Sequence, residues 1–228
     1  MKKKLLYFLV TIFFLCSVLL VVFSKAEKIQ NLKANNTPKY DINKDIKVLE
    51  KYIESKPQDT KILLELGLKQ DVNKQPDKAI EIYQKVLQIE PNNSTALFRI
   101  GNIKLDAGMF NDAFSFYDQC SKTNPDNPVA YLTMSHILLL TDNTKALEFA
   151  QKAYDRRGAI DNPKFIENYL NYVSSINKGT TSEKYNAFLM ILTDYINYDK
   201  LKKSLSNKII DELTDLSPAQ KEKLINLN

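Results

Sequence analysis

One unit is written twice in this chain, as Thr60–Asn93 and Ser94–Asn127. Gly67 recurs as Gly101, Ala79 as Ala113, Tyr83 as Tyr117 and Pro91 as Pro125, every pair separated by the same interval, the length of the unit itself. Leu63 and Leu66 recur as Leu97 and Ile100. A fixed period of this size specifies a stack of supersecondary units, because one unit cannot bury its apolar face without a neighbour. The two prolines follow a helical pattern and stop it, since proline lacks the amide and clashes with the preceding turn. Glycine and alanine at the recurring positions let two helices approach closely. No strand pattern competes, so the expected fold is all-α.

The spacing resembles the tetratricopeptide repeat, in which a first helix carries W-x2-L-G-x2-Y and a second carries A-x3-F before a proline. Here Leu63, Leu66, Gly67, Ala79, Tyr83 and Pro91 occupy those positions in repeat one. Leu97, Ile100, Gly101, Ala113, Tyr117 and Pro125 occupy them in repeat two. The chain departs from the pattern in having no tryptophan, and Gln70 and Lys104 stand at the tyrosine position of the first helix. The resemblance implies an α-solenoid of antiparallel helix pairs that binds a protein or peptide partner.

Flanking segments extend the array. Residues 41–58 read as a lone second helix, a half-repeat capping the N-terminal end, with Ile42, Ile46, Leu49, Tyr52 and Ile53 at helical spacing. Residues 128–160 form a degenerate third repeat opened by Asn127 and Pro128, with Ser135 in place of the glycine. Ala146, Ala150 and Ala153 follow Ala113, Tyr117 and Cys120 at one position short of the period, which marks a single deletion, and Gly158 supplies the stop. Residues 161–199 read as a degenerate helix pair whose second member starts at the capping box Thr180–Glu183. Residues 200–228 read as C-terminal capping helices, the last opened by Ser217-Pro218-Ala219-Gln220.

Residues 1–4 are a short basic tail, and Leu5–Phe23 is an uninterrupted run without charge. As a helix it is roughly 28 Å long, close to the thickness of a bilayer's hydrocarbon core. We read it as an uncleaved transmembrane signal-anchor followed by a polar linker over 24–40. Cleavage after Ala26, which would release a secreted binding protein, is the alternative, since Ser24 and Ala26 satisfy small-residue spacing. Lys2, Lys3 and Lys4 favour a cytoplasmic N-terminus with the repeats outside. Residues 1–26 hold four lysines and no acid; without them the net charge falls from +5 to +1. The basic excess is therefore a membrane-flank feature, and no nucleic-acid partner is expected.

Catalytic and cofactor motifs are missing from the sequence. There are five glycines and no phosphate-binding loop, and His136 is the only histidine. Cys16 lies in the apolar run and Cys120 in a repeat core, so no internal disulfide is expected. The tyrosines between Tyr154 and Tyr198 read as helix-interface residues. No enzyme activity, cofactor or metal site is expected.

Numbering the repeats from Thr60, Ser94 and Pro128, positions 4, 7, 8 and 11 carry the signature and share one helix face, at about 100° per residue. Positions 2, 5, 9, 12 and 13 fall on the opposite face, which the resemblance makes the concave surface. That set holds Leu64, Leu68 and Val72, then Phe98, Asn102 and Leu105, then Leu132, His136 and Leu139. Surface helices do not normally carry apolar residues on two faces. The expectation is a groove for an amphipathic segment, unless Leu201–Asn228 or a sister chain covers it. Chaperone-binding members of the family clamp a carboxylate with Lys, Asn and Arg; Leu64, Leu68, Val129 and Thr133 stand there instead, which disfavours acidic tails. The functional expectation is a membrane-tethered scaffold in an envelope assembly, with a secreted binding protein or an accessory subunit of an envelope enzyme as alternatives.

Overall fold

A computed structural model describes residues 41–227, and the regular secondary structure among them is all helical. The basic tail, the apolar run and the polar linker lie outside them. Among the described residues no helix is long and apolar enough to cross a membrane.

Eleven helices follow one another among the described residues: α1 (Ile42–Ser55), α2 (Thr60–Val72), α3 (Pro76–Ile89), α4 (Ser94–Asp106), α5 (Phe110–Thr123), α6 (Pro128–Leu138), α7 (Asn143–Asp155), α8 (Pro163–Lys178), α9 (Thr181–Asp194), α10 (Asp199–Glu212) and α11 (Pro218–Ile225). Helices α2 with α3, α4 with α5 and α6 with α7 are the three repeat pairs, and α8 with α9 is the degenerate pair. Their starts are chemically specified. Asp59, Asn93, Asn127 and Asp142 each accept an amide hydrogen bond at the opening of a helix. Thr180–Glu183 and Ser217–Gln220 form complete capping boxes. Gly158 lies inside a 3₁₀ turn, Arg157–Ala159, that follows α7. The turn after α2 carries Lys74 at φ 59°, and its repeat equivalent after α4 is Gly108 at φ 76°. The left-handed turn geometry is thus kept where the glycine is not.

The repeat is held by a tyrosine ring laid on a glycine. Tyr83 and Tyr117 are fully buried, and a β-carbon placed on Gly67 would lie 2.5 Å from Tyr83 Cε1. On Gly101 it would lie 2.8 Å from Tyr117 Cε1. The third repeat solves the same problem differently. Ser135 occupies the glycine position and Ala150 the tyrosine position, and both are fully buried. The ring that is missing there is supplied by α8: Tyr169 hydroxyl lies 2.9 Å from Ser135 Oγ, which also donates to the Ala146 carbonyl at 2.6 Å.

At the N-terminal end, Ile46 is the buried residue of α1, whereas Val48 and Tyr52 are exposed and Leu49 and Ile53 half-buried. The expected stripe of five is therefore only partly used. Lys69 reaches across from α2 to Asp45 at 2.7 Å.

Because the tyrosine ring cannot retreat from the core, Gly101→Ala should destabilise the chain by about 1–3 kcal/mol. Adding Tyr117→Ala should cost less on this background than alone, as the Ser135–Ala150 pair implies. Urea denaturation of the two single variants and the double variant checks this, and strict additivity would contradict it.

Candidate partner-binding site

The concave face does not present the same environment along its length. In repeat one, Leu64 and Leu68 are half-buried and Val72 is 61% exposed. In repeat two, Phe98 is half-buried, packed with its ring 5.5 Å from that of Tyr117, while Leu105 is fully buried. In repeat three, Leu132, His136 and Leu139 are all buried. The groove expected to run along all three first helices is therefore closed over much of repeats two and three, and the chain's own C-terminal part closes it.

Three contacts define the closure. Asn102 Oδ1 accepts from the Tyr117 hydroxyl at 2.7 Å and from the Tyr198 hydroxyl at 3.2 Å, joining positions far apart in sequence. Lys200 Nζ donates to the Ala107 carbonyl at 2.8 Å. Lys208 Nζ donates to the Leu139 carbonyl at 2.7 Å and to Asn143 Oδ1 at 3.1 Å. Ala107 and Leu139 are the C-cap residues of α4 and α6. Each lysine thus meets the carbonyl-rich, negative end of a successive first helix. Between the lysines, Leu201 and Leu205, with Ile209 just beyond, form an i, i+4, i+8 stripe that is fully buried. Helix α10 is an amphipathic helix seated across the stack.

The repeat period exposes a difference at the open end. Tyr83 is the counterpart of Tyr117, but Leu68 stands where the next repeat has Asn102. The Tyr83 hydroxyl is buried with no hydrogen-bond partner, and burial pushes its pKa up to about 12. Burial also pushes the Tyr117 hydroxyl up, and there the proton is used in the bond to Asn102.

The remaining candidates fall into the core. His136 is buried rather than lying at a surface or in an open groove, with its ring 4.8 Å from Tyr169 in an edge-on arrangement and Nε2 unpartnered. Desolvation lowers its pKa to about 3. Cys120 is buried, its thiol donates to the Ser94 carbonyl at 3.4 Å, and burial pushes its pKa up, as a core thiol requires. Among the tyrosines, Tyr169, Tyr185 and Tyr195 fill helix interfaces, and Tyr195 stacks on Phe165 at 4.3 Å. Sequence periodicity located the apolar face but did not decide between an open groove and a cover from the C-terminal segment. The available signal was the Leu201/Leu205/Ile209 stripe beside Lys200 and Lys208.

Helix pairs repeated at a fixed period, locked in the first two repeats by glycine against tyrosine, make the described residues an all-helical solenoid. The tetratricopeptide repeat model matches residues 72–93 and 94–127, so tetratricopeptide repeats lie within this stretch. No curated protein matches the chain. Solved structures similar to it include MamA, at 15% identity, 82% of this chain, 88% of that one and TM-score 0.49. A second MamA structure aligns at 20% identity over 74% of this chain and 91% of that one, with TM-score 0.46. YrrB, described as a tetratricopeptide repeat protein with an unusual peptide-binding site, aligns at 16% identity over 79% and 92%, with TM-score 0.49.

Burial of neutral His136 sets the sign of an acid effect. The unfolded chain takes up a proton near pH 6.5 and the folded chain does not until about pH 3, so this contribution to stability is complete above pH 6.5 and is lost as pH falls below it. The loss is about 1.4 kcal/mol per pH unit, or about 2 kcal/mol between pH 7 and pH 5. Urea titrations should show that loss, and His136→Leu should remove most of it. An equal pH dependence in the variant would contradict the burial of a neutral imidazole.

Proposed function

We propose that this chain is a membrane-tethered scaffold for protein–protein interaction. It holds a partner's peptide or helix at the first-repeat end of the concave face, with Leu5–Phe23 as the tether, in an envelope assembly. One observation carries the reading: the same face, one repeat further on, already holds an amphipathic helix. Tyr198 meets Asn102 there and apolar residues of α10 are buried against the stack. At repeat one the corresponding rung has half-buried Leu64 and Leu68, exposed Val72 and a tyrosine hydroxyl without a partner. A buried unpaired hydroxyl costs roughly 1–3 kcal/mol. Apolar side chains without a cover on the inner face of a solenoid suit an amphipathic helix or extended peptide. The groove role is accordingly assigned to Leu64, Leu68 and Phe98. Asn102, Leu105, Leu132, His136 and Leu139 support it from within the fold.

The reading is tested by a photo-crosslinking amino acid placed at Val72 in the full chain expressed in its own cells. A discrete adduct is expected, reduced about tenfold by Leu64→Asp with Leu68→Asp, since a desolvated unpaired carboxylate opposes an apolar ligand. An adduct unaffected by those substitutions would contradict the groove. Carbonate extraction of the same cells should leave the chain in the membrane pellet. A soluble form beginning at Glu27 would replace the tether with a secreted binding protein.

A further inference from the structure

Helix α10 shows what seats an occupant on the concave face, and the open rung of repeat one lacks both seats. In repeat two Asn102 accepts from Tyr198, and Lys200 reaches the Ala107 carbonyl across Gly108. A β-carbon on Gly108 would lie 2.9 Å from Lys200 Cδ, so the lysine stem uses the space that the glycine leaves. One period earlier Asn102 is replaced by Leu68 and Gly108 by Lys74. Leu68 accepts no hydrogen bond. Lys74 shares the left-handed backbone and puts a side chain and a like charge in the path that Lys200 takes. A helix of the α10 type finds neither of its polar seats there.

The available length points the same way. Lys200 and Lys208 meet the ends of successive first helices and stand about two turns apart, so one repeat step along this face is roughly 12 Å. The part that α10 leaves open, over repeat one, is one such step. A helix would be held there over only about two turns, whereas an extended chain crosses the same distance in about four residues. Isolated helices of two turns are unstable in water.

What the rung does offer is a donor and an acceptor with nothing bonded to them. Arg99, at position 6 of α4, and Asp71, at position 12 of α2, are half-buried. Among the described residues neither side chain forms a hydrogen bond or an ion pair. Both act on the buried Tyr83 hydroxyl: burial pushes its pKa up, Arg99 opposes the rise and Asp71 adds to it. Arg99 also acts on the Tyr198 hydroxyl, where burial is again the largest influence. The guanidinium therefore stands between the open rung and the start of α10. Charges around the rung balance, Arg99 and Lys74 against Asp71 and Asp106, so no ionic occupant is selected. Hydrogen-bonding capacity remains, N–H donors on Arg99 and acceptor oxygens on Asp71. A peptide unit is neutral and brings one acceptor and one donor. An extended segment presents both outward, while a helix bonds them internally.

We propose that the open rung of repeat one takes an extended partner segment of about four residues, with a main-chain carbonyl on Arg99, a main-chain amide on Asp71 and an apolar side chain on Leu64 and Leu68. This assignment rests on the reading of repeat one as a partner groove and excludes a helical occupant.

The test uses the full chain in detergent on an array of random-sequence octapeptides. Each sequence is immobilised in three versions: linear, N-methylated at its central amides, and stapled into a helix. Among sequences that are retained, the linear version should exceed the N-methylated one about tenfold, equivalent to about 1.4 kcal/mol, and the stapled one should stay at background. Arg99→Met with Asp71→Ala should lower the linear version to the level of the N-methylated one. Arg99→Gln replaces Arg99→Met if circular dichroism shows that the first variant does not fold. Leu64→Asp with Leu68→Asp should remove retention of every version. Stapled versions retained best, equal retention of linear and N-methylated versions, or a difference that survives the Arg99 and Asp71 substitutions would overturn the extended occupant and leave the groove standing. Retention confined to sequences with Asp or Glu and indifferent to N-methylation would give Arg99 to a side-chain carboxylate, which also overturns it. Background retention throughout, or retention indifferent to Leu64→Asp with Leu68→Asp, would overturn the groove and this occupant together.

Discussion

A solenoid built from these repeats has first helices with apolar residues on two faces, and both faces must be kept from water. One face is satisfied by stacking. Tyr83 lies on Gly67 and Tyr117 on Gly101 at distances that leave no room for a β-carbon. The other face has no neighbour in the repeat itself. Everything particular about this chain follows from how that second face is covered: by α10 over the second and third repeats, and incompletely over the first.

The cover uses two kinds of interaction in register. Apolar side chains of Leu201, Leu205 and Ile209 leave water, which supplies a non-directional drive. Lys200 and Lys208, two turns apart on α10, meet the C-terminal carbonyls of α4 and α6 and fix where the helix sits. The Asn102 carboxamide joins the two systems, because its oxygen accepts from a tyrosine of the repeat core and from one at the entry of α10. Loss of the asparagine one repeat earlier, where Leu68 stands, leaves the Tyr83 hydroxyl alone.

Much of the fold was legible because it is written in spacing. The repeat period, the caps at Asn127, Thr180 and Ser217, and the helices from Pro163 and Pro218 were all readable from local chemistry. The apolar set on the inner face was readable too, as residues at positions 5, 9 and 12. Its state was not. Whether Leu105, Leu132, His136 and Leu139 face a groove or a core depends on a contact with a segment far along the chain, and periodicity carries no information about such pairings. The same limit hid the role of Tyr169, which replaces in space the ring that Ala150 lacks.

Thiol labelling at Leu105 tests the coverage of the concave face most directly. This residue is fully buried and is flanked on the same chain segment by Asn102 and Ala107, which Tyr198 and Lys200 hold. In a chain carrying Leu105→Cys, with Cys16→Ser and Cys120→Ala, maleimide should react slowly under native conditions. It should react faster by about two orders of magnitude in a chain ending at Asn197, if exposing this site otherwise requires an opening that costs about 2.7 kcal/mol or more. Rapid labelling of the full chain, at the rate of the shortened one, would show that α10 does not cover this face and would contradict the account.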